Sequence, residues 1–413
     1  MQLLLYHLFL WLYRNAIRIA SLFDEKARQW RVGRHDIIQK IKTTLPHHEE
    51  RVWIHCASVG EFEQVRPLIE QIREQYPKRK ILITFFSPSG YQQFKDYPLA
   101  DYVFYLPFDG RRRSAQFVQI VNPSVAIFVK YEFWYYYISR LYHSQRPIIL
   151  ISGTFRPEQP FFKWYGGLFR KMLRRFSFFF LQDNQSKQLL SSIGIQGNVA
   201  VTGDTRYDRV NTIAQQAKKF PEIETWKGDS NLLIAGSTWQ EDEILLQQFL
   251  STFPENWKLL LAPHEIDAKH LHELATLFGE EAVFYSRLQP QQKNRVLIID
   301  NIGMLSSLYR YGDIAYIGGG FQKGGIHNTL EPAVFGLPVI FGPVYKKFIE
   351  ATLLVENGFA FSVKNYEELN QILTQLMENS ETRVYQSQQL KKFVAQQCGA
   401  TDKIMQILGQ RYL

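Results

Sequence analysis

Two Rossmann-like, doubly wound α/β domains facing a central cleft, preceded by a membrane-associated helix, are what the chain predicts. Three observations carry this. Short apolar runs of strand length alternate with helical stretches, the mark of a parallel sheet covered on both faces. The series occurs twice, and 413 residues suit about two or three domains. The glycine- and serine-bearing motifs follow directly after these runs, where open α/β sheets bind their ligands.

Residues 1–13, MQLLLYHLFLWLY, are apolar apart from Gln2 and His7, and Arg14 and Arg18 follow in the same helical stretch. A spanning helix needs about 18 or more apolar residues. A cleaved signal peptide needs a basic stretch ahead of its apolar run and a small-residue cleavage site. Neither pattern fits, so residues 1–22 read as an uncleaved helix in a membrane interface; the competing reading is a core-packed first helix. Strands are expected at 52–57, 81–86, 102–106, 125–129, 148–151, 178–181 and 199–202, which makes 23–208 the first domain. The polar stretch 209–230, with the turn residues Lys227-Gly-Asp-Ser, is the expected linker. A second domain over 231–385 carries runs at 232–235, 258–262, 282–285, 296–299, 314–317, 338–341 and 359–361. Residues 386–413 read as helices folding back toward the first domain. Between 161 and 180, Phe161, Phe162, Trp164, Phe169 and Phe176 alternate with Lys163, Arg170, Lys171, Arg174 and Arg175. That mixture suits an anionic headgroup layer; the competing reading is an amphipathic helix running into a buried strand.

With 46% hydrophobic and 21% charged residues, disordered and collagen-like chains are excluded. Lys+Arg 48 against Asp+Glu 39 leaves +9, which calls for an anionic partner. No helix-turn-helix, zinc-finger or RNP pattern is present, so nucleic acid is not expected. Cys56 and Cys398 are too few for a disulfide framework and fit a reducing compartment. Ligand-type residues gather at His264, Asp267, His270 and His272, but His270 and His272 point to different helix faces, and no metal site is expected.

The loop Ala57-Ser58-Val-Gly60-Glu61 ends a strand and opens a helix, a place that receives anions. Glu61 in the first turn is expected to have its pKa lowered by the helix dipole, leaving it ionised as a proton acceptor. The plainer reading is an ordinary helix-start acid. Ser87-Pro-Ser89-Gly90 offers hydroxyl and backbone donors. In Val129-Lys130-Tyr-Glu132-Phe-Trp134, Glu132 either pairs with a cation or faces ligand. Gly203-Asp-Thr-Arg206-Tyr-Asp208 places a cation at the crevice, or else an Arg206–Asp208 surface pair. Gly236-Ser237-Thr238 can take phosphate through backbone and hydroxyl donors. The sharpest signal is Gly318-Gly319-Gly320 followed by Gly324-Gly325-Ile-His327-Asn328-Thr329-Leu330-Glu331-Pro332. There Asn328 caps a helix whose N-terminus takes phosphate, while Glu331 binds ribose hydroxyls. The absence of Gly-Lys-Ser/Thr separates it from a Walker loop.

On Ser58-Val-Gly-Glu61, Ser87-Pro-Ser-Gly90, Glu132-Phe-Trp134, Gly203-Asp-Thr-Arg206-Tyr-Asp208, Ala235-Gly-Ser-Thr238 and His327-Asn-Thr-Leu-Glu-Pro332, in that order, the chain resembles the 3-deoxy-D-manno-oct-2-ulosonic acid (Kdo) transferases. These are GT-B glycosyltransferases of lipopolysaccharide assembly, and the likeness covers nearly the whole chain. The resemblance implies an acceptor-binding first domain and a CMP-sugar-binding second domain. It also implies CMP-Kdo as donor, a lipid A precursor as acceptor, and a place at the cytoplasmic face of the inner membrane, on an anionic surface. Glu61 would be the base, and Arg206, where the family commonly has Lys, would stabilise the departing phosphate. Pro263, His264, Ile302, Gly303, Met304 and Asn328 to Glu331, with Thr329 and Leu330, would hold CMP. The sequence departs from the family's usual Pro-Arg at Pro263-His264, from Gly-Glu at Gly303-Met304, and from an acid at Lys130. One leaving phosphate can be neutralised by a helix N-terminus and one or two cations, so no metal or other cofactor is demanded, and attack opposite it inverts the anomeric centre. The rivals are a lipid-A-disaccharide synthase or sugar-nucleotide epimerase of the same fold, or a non-catalytic membrane-binding protein.

Overall fold

The computed structural model describes residues 2–46 and 49–413, so Met1 of the expected N-terminal helix lies outside the described residues. The strands are β1 (Arg51–Cys56), β2 (Lys80–Phe85), β3 (Tyr102–Tyr105), β4 (Pro123–Val129), β5 (Ile148–Gly153), β6 (Phe178–Leu181) and β7 (Val199–Val201), then β8 (Asn231–Thr238), β9 (Trp257–Pro263), β10 (Ala282–Phe284), β11 (Val296–Ile298), β12 (Ile314–Ile317), β13 (Val339–Phe341) and β14 (Ala360–Ser362). The chain divides into two compact units, Met1–Arg209 with Cys398–Leu413, and Val210–Gln397.

Each unit holds one seven-stranded sheet, ordered β3-β2-β1-β4-β5-β6-β7 in the first and β10-β11-β9-β8-β12-β13-β14 in the second. Every pairing is parallel. The two-residue period of a strand sends Trp53, Ala126, Phe128 and Leu150 to one face of the first sheet and Val52, Ile54, Ile127 and Ile149 to the other. Both faces are covered by apolar contacts, which is why these strands read as continuous apolar runs. Strand order reverses between β1 and β4, and again between β8 and β12. These two switch points fix where each unit can open a ligand crevice.

The stretch expected as a linker is helical over Thr205–Gln215 and Pro221–Lys227, and Ile223 and Trp226 are buried. The last helix, Ala400–Arg411, packs Ile404, Met405 and Leu408 into the core of the first unit. Its start is held by Asp208, which accepts from the Gly399 N–H at 2.5 Å and from the Thr401 N–H and Oγ1 at 2.7 Å each.

Helix Gln2–Ala20 docks through Leu10, with Tyr6, Tyr13 and Ile17 against Trp30 and Phe108. Its outward face is also apolar: Leu4 is 71% and Trp11 62% exposed, with Leu5, Leu8, Leu12 and Ile19 beside them. Among the described residues no helix is long and apolar enough to cross a membrane. The aromatic-basic segment 161–180 is mostly interior. Phe161, Met172, Leu173 and Phe176 are core residues, Arg170 donates to the carbonyls of Phe161 and Lys163, and Arg175 lies over the rings of Tyr135 and Tyr142. Trp164, Tyr165, Lys171 and Arg174 are what it exposes.

Replacing Asp208 by Ala removes the cap of the final helix, and helix caps and charged hydrogen bonds of this kind contribute about 1–3 kcal/mol. Thermal unfolding should therefore begin at lower temperature in Asp208→Ala, with the far-ultraviolet dichroism at 20 °C (about ambient) almost unchanged.

Candidate active site

The loops that follow β1 and β4 lie at the switch point of the first sheet and carry the two acids singled out by sequence. Ser58 caps helix Val59–Gln75 by accepting from the Glu61 N–H at 3.4 Å. Glu61 turns back, and its Oε2 accepts from the Ala57 N–H at 2.5 Å. This is a capping-box arrangement displaced by one residue, and it leaves Oε1 with no hydrogen bond among the described residues. Gly60 is exposed, with open space where a side chain would stand.

Glu61 is only 8% exposed. Its pKa is pushed up to about 8, first by burial and then by the negative charge of Glu132, against the Ala57 hydrogen bond and the Lys130 charge, which pull it down. The expected dipole-lowered carboxylate is therefore corrected. Loss of hydration and a like charge outweigh the helix terminus, whose effect is worth typically 0.3–1 kcal/mol. Lys130, where the backbone adopts φ +56°, contributes the opposing positive charge.

Glu132 is fixed by Trp134 of its own motif and by His55, which motif reading passed over. Its Oε2 accepts from Trp134 Nε1 at 2.5 Å and lies 3.2 Å from His55 Nε2. The buried His55 places Nδ1 2.9 Å from Thr84 Oγ1, which in turn accepts from Trp53 Nε1 at 2.9 Å. Thr84 Oγ1 thus stands between Trp53 and His55, and His55 between Thr84 and Glu132, in one connected set of polar contacts. The legible signal was two polar residues, His55 and Thr84, at matching positions of adjacent apolar strands.

Ser87 caps helix Pro88–Phe94 through the Gly90 N–H at 3.1 Å, and exposed Ser89 donates to Ser87 Oγ at 3.3 Å. A Cβ on Gly90 would meet the Phe85 ring at 2.6 Å. Arg206 engages Asp204 through Nε at 2.9 Å and Nη2 at 2.6 Å, and Asp208 is given over to the final helix.

In the second unit, Gly236, Ser237 and Thr238 end β8 and the glycine cluster follows β12, again at a switch point. Asp242 ties these loops together, accepting from the Trp239 N–H at 3.0 Å, the Gly319 N–H at 2.9 Å and Tyr316 OH at 2.7 Å. Ser237 adopts φ +54°. Thr238 is buried, and its hydroxyl donates to Glu243 at 2.9 Å, so the expected phosphate donor is spent inside the protein. A Cβ on Gly318 would stand 2.3 Å from the Ser237 carbonyl oxygen, and one on Gly320 2.4 Å from the Gly342 nitrogen. Protein backbone, not a ligand, sets the glycine requirement at both.

His264 follows Pro263 and stacks between Trp239 and His327, with ring centroids 4.8 and 4.4 Å apart. Trp239 Nε1 donates to His327 Nε2 at 3.2 Å. Burial and His264 push the His327 pKa down to about 4, which keeps that ring a neutral acceptor. Asn328 accepts from the Leu330 N–H at 3.0 Å and donates to Glu331 at 3.0 Å. The helix it opens, Leu330–Val334, is short. Thr329 and Leu330 are buried, leaving Glu331 as the candidate ribose ligand of this turn. Gly303 adopts φ +91°; Ile302 is 86% exposed, whereas Met304 is buried. Around the ligand-type residues near His264, His270 pairs with Glu243 and Asp267 caps the helix Ala268–Phe278. No group able to hold a metal ion is present among the described residues.

Two parallel α/β sheets with crevice loops at both switch points make this a GT-B-like fold. The fold matches a solved UDP-N-acetylglucosamine 2-epimerase with TM-score 0.58 over 88% of this chain and 98% of that one, at 15% identity. At that identity the likeness shows the fold alone. Residues 29–209 match the family model of 3-deoxy-D-manno-octulosonic-acid transferase (kdotransferase). The 3-deoxy-D-manno-octulosonic acid transferase of Haemophilus influenzae is 29% identical over 374 residues, 86% of each chain. That of Aquifex aeolicus is 29% identical over 343 residues, 81% of this chain and 88% of the relative. The chain is thus similar to 3-deoxy-D-manno-octulosonic acid transferases over most of its length.

A carboxyl whose folded pKa lies above its unfolded value of 4.5 destabilises the fold increasingly as pH rises from about 4.5 to about 8 and constantly above that. Glu61→Gln should therefore melt higher than wild type at pH 8.5, and the gain should vanish by about pH 4.5. A gain that persists unchanged at the acid end contradicts the buried, charge-crowded carboxyl.

Proposed function

We propose that the chain is an inverting glycosyltransferase that moves Kdo from CMP-Kdo to a hydroxyl of a lipid A precursor in lipopolysaccharide biosynthesis. The observation that carries this reading is Glu61, buried beside Glu132 at the switch point of the unit that matches the Kdo transferase model. A sugar hydroxyl is a poor acid, so its proton must pass to a base as oxygen bonds to the anomeric carbon. A carboxyl held near pH 8 is a stronger base than an ordinary one, and a pKa close to working pH is what general base catalysis favours. Glu61 Oε1 takes the proton, while the Ala57 N–H holds Oε2 and keeps the carboxylate aimed.

The bond from the anomeric carbon to the CMP phosphate breaks as the new bond forms, and CMP leaves with the electron pair. Arg206 stabilises that phosphate, exchanging part of its contact with Asp204 for the developing charge. Glu331 binds the ribose, and the His264 ring, stacked on Trp239 and His327, supports the cytosine-bearing end of the nucleotide in place of the family's Arg. Attack from the side opposite CMP inverts the centre. The acceptor is a lipid, and the outward apolar face of helix Gln2–Ala20, with Trp164, Lys171 and Arg174, supports docking on the anionic cytoplasmic face of the inner membrane.

Incubation with CMP-Kdo and a lipid A precursor tests the reading. Glu61→Gln should lose about 100-fold or more in kcat while binding CMP normally by calorimetry. Glu331→Ala should show the opposite split, losing about 1–3 kcal/mol of CMP affinity with the fold intact. Near-normal turnover of Glu61→Gln would remove Glu61 as the base.

A further inference from the structure

A second feature of the first unit lies outside the groups used above. Between helix Gln2–Ala20 and the segments around residues 30–39 and 107–116 is a cavity of about 820 Å³ lined by Arg14, Arg18, Arg31, Arg34 and Arg113. Among the described residues, Arg14, Arg18, Arg31 and Arg113 form no ion pair with a carboxylate. The only acid in the lining, Asp36, sits 3.0 Å from His35. Arg34 is compensated by carbonyls alone: Nη2 donates to Phe86 O at 2.7 Å and Nε to Leu106 O at 2.9 Å, with the guanidinium 4.0 Å over the Trp30 ring. Arg14 is pulled below the usual arginine range by burial and by the charges of Arg18 and Arg113. Cations brought together without counter-charge repel one another, and arginine is the side chain whose planar fork suits phosphate.

Ile17, Val32, Ile37, Ile38 and Phe108 stand among the arginines and give the cavity an apolar wall, with His35, Gln39 and Gln116 as its neutral polar members. A free anion needs no such wall; the head of an amphiphile does. The cavity also adjoins the acid pair through one aromatic layer. Trp30 contacts Phe86 with ring centroids 5.7 Å apart, Phe86 stacks on Trp134 at 5.0 Å, and Trp134 holds Glu132. Tyr13, above that layer, feels the charges of both Arg34 and Glu132.

We propose that this arginine-lined cavity is a subsite for a phosphate group of the lipid acceptor, which it holds while the acceptor's hydroxyl reaches Glu61. The assignment rests on the lipid-acceptor reading above. Its chemistry, an anionic phosphate on an amphiphile, is shared by anionic bilayer lipids, and the test separates the two sources.

Full-length protein carrying Arg14→Gln and Arg113→Gln is compared with wild type in two arms. In the first, calorimetry measures binding of dihexanoyl phosphatidic acid, dihexanoyl phosphatidylcholine and inorganic phosphate. Wild type should bind the phosphatidic acid at least tenfold more tightly than either other probe, and the double variant should lose that preference. Its melting temperature should be unchanged or higher, since like charges have been removed. In the second arm, KM and kcat are measured on the lipid A precursor before and after phosphatase treatment. The variant should raise KM for the intact acceptor at least tenfold with kcat unchanged, and should match wild type on the dephosphorylated acceptor. Equal binding of all three probes by wild type, or an unaltered variant, overturns the subsite. Lost phosphatidic acid binding with KM unchanged on both acceptors assigns the cavity to bilayer lipid and overturns the acceptor assignment. If wild type transfers nothing to any acceptor, the transferase reading fails, while the first arm still reports on the cavity.

Discussion

Two carboxyl groups crowded at the carboxyl ends of two central strands of a parallel sheet are the constraint on which the rest of the first unit depends. Glu61 alone would be a helix-start acid with a low pKa. Placed out of water and facing Glu132, it becomes a group that titrates near neutrality. Holding Glu132 there has its own requirements, and the relay of Trp53, Thr84, His55 and Trp134 meets them. Polar atoms inside an apolar sheet are costly unless hydrogen-bonded, and each member of this relay has its partner. The switch point between β1 and β4 supplies the geometry, since there the adjacent loops diverge and leave room for a ligand.

The second unit uses the same topology to a different end. Its switch-point loops are pulled together by Asp242 and by glycines whose missing side chains allow backbone to lie against backbone. The result is a tightly packed floor carrying the Trp239, His264 and His327 stack and the Glu331 turn.

Much of this was legible in the sequence. Fourteen apolar runs were visible because strands buried on both faces cannot hide a polar residue cheaply, and the motifs after them marked the crevice loops. The direction of the Glu61 pKa was not legible. The dipole is a local property, whereas burial and the neighbour 71 residues away in sequence arise from the fold. The glycines of 318–320 were visible as a cluster, but their contact with the end of β8 and the loop after β13 depends on tertiary packing. Thr238 could not be assigned inward or outward without knowing the place of Glu243. The aromatic-basic segment was ambiguous for a related reason: a run of Phe beside Arg has the same composition whether the rings face lipid or the core. Here Phe161 and Phe176 face the core, and Arg170 and Arg175 are occupied by carbonyls and rings.

The coupling between the two acids is the central claim, and the pH dependence of kcat/KM tests it most directly. That profile reports the free enzyme's essential base, so in wild type it should rise with pH through an inflection near 8. In Glu132→Gln the inflection should move to lower pH, because the like charge that raises the Glu61 pKa is gone. An inflection that stays in place, or moves upward, would contradict the account.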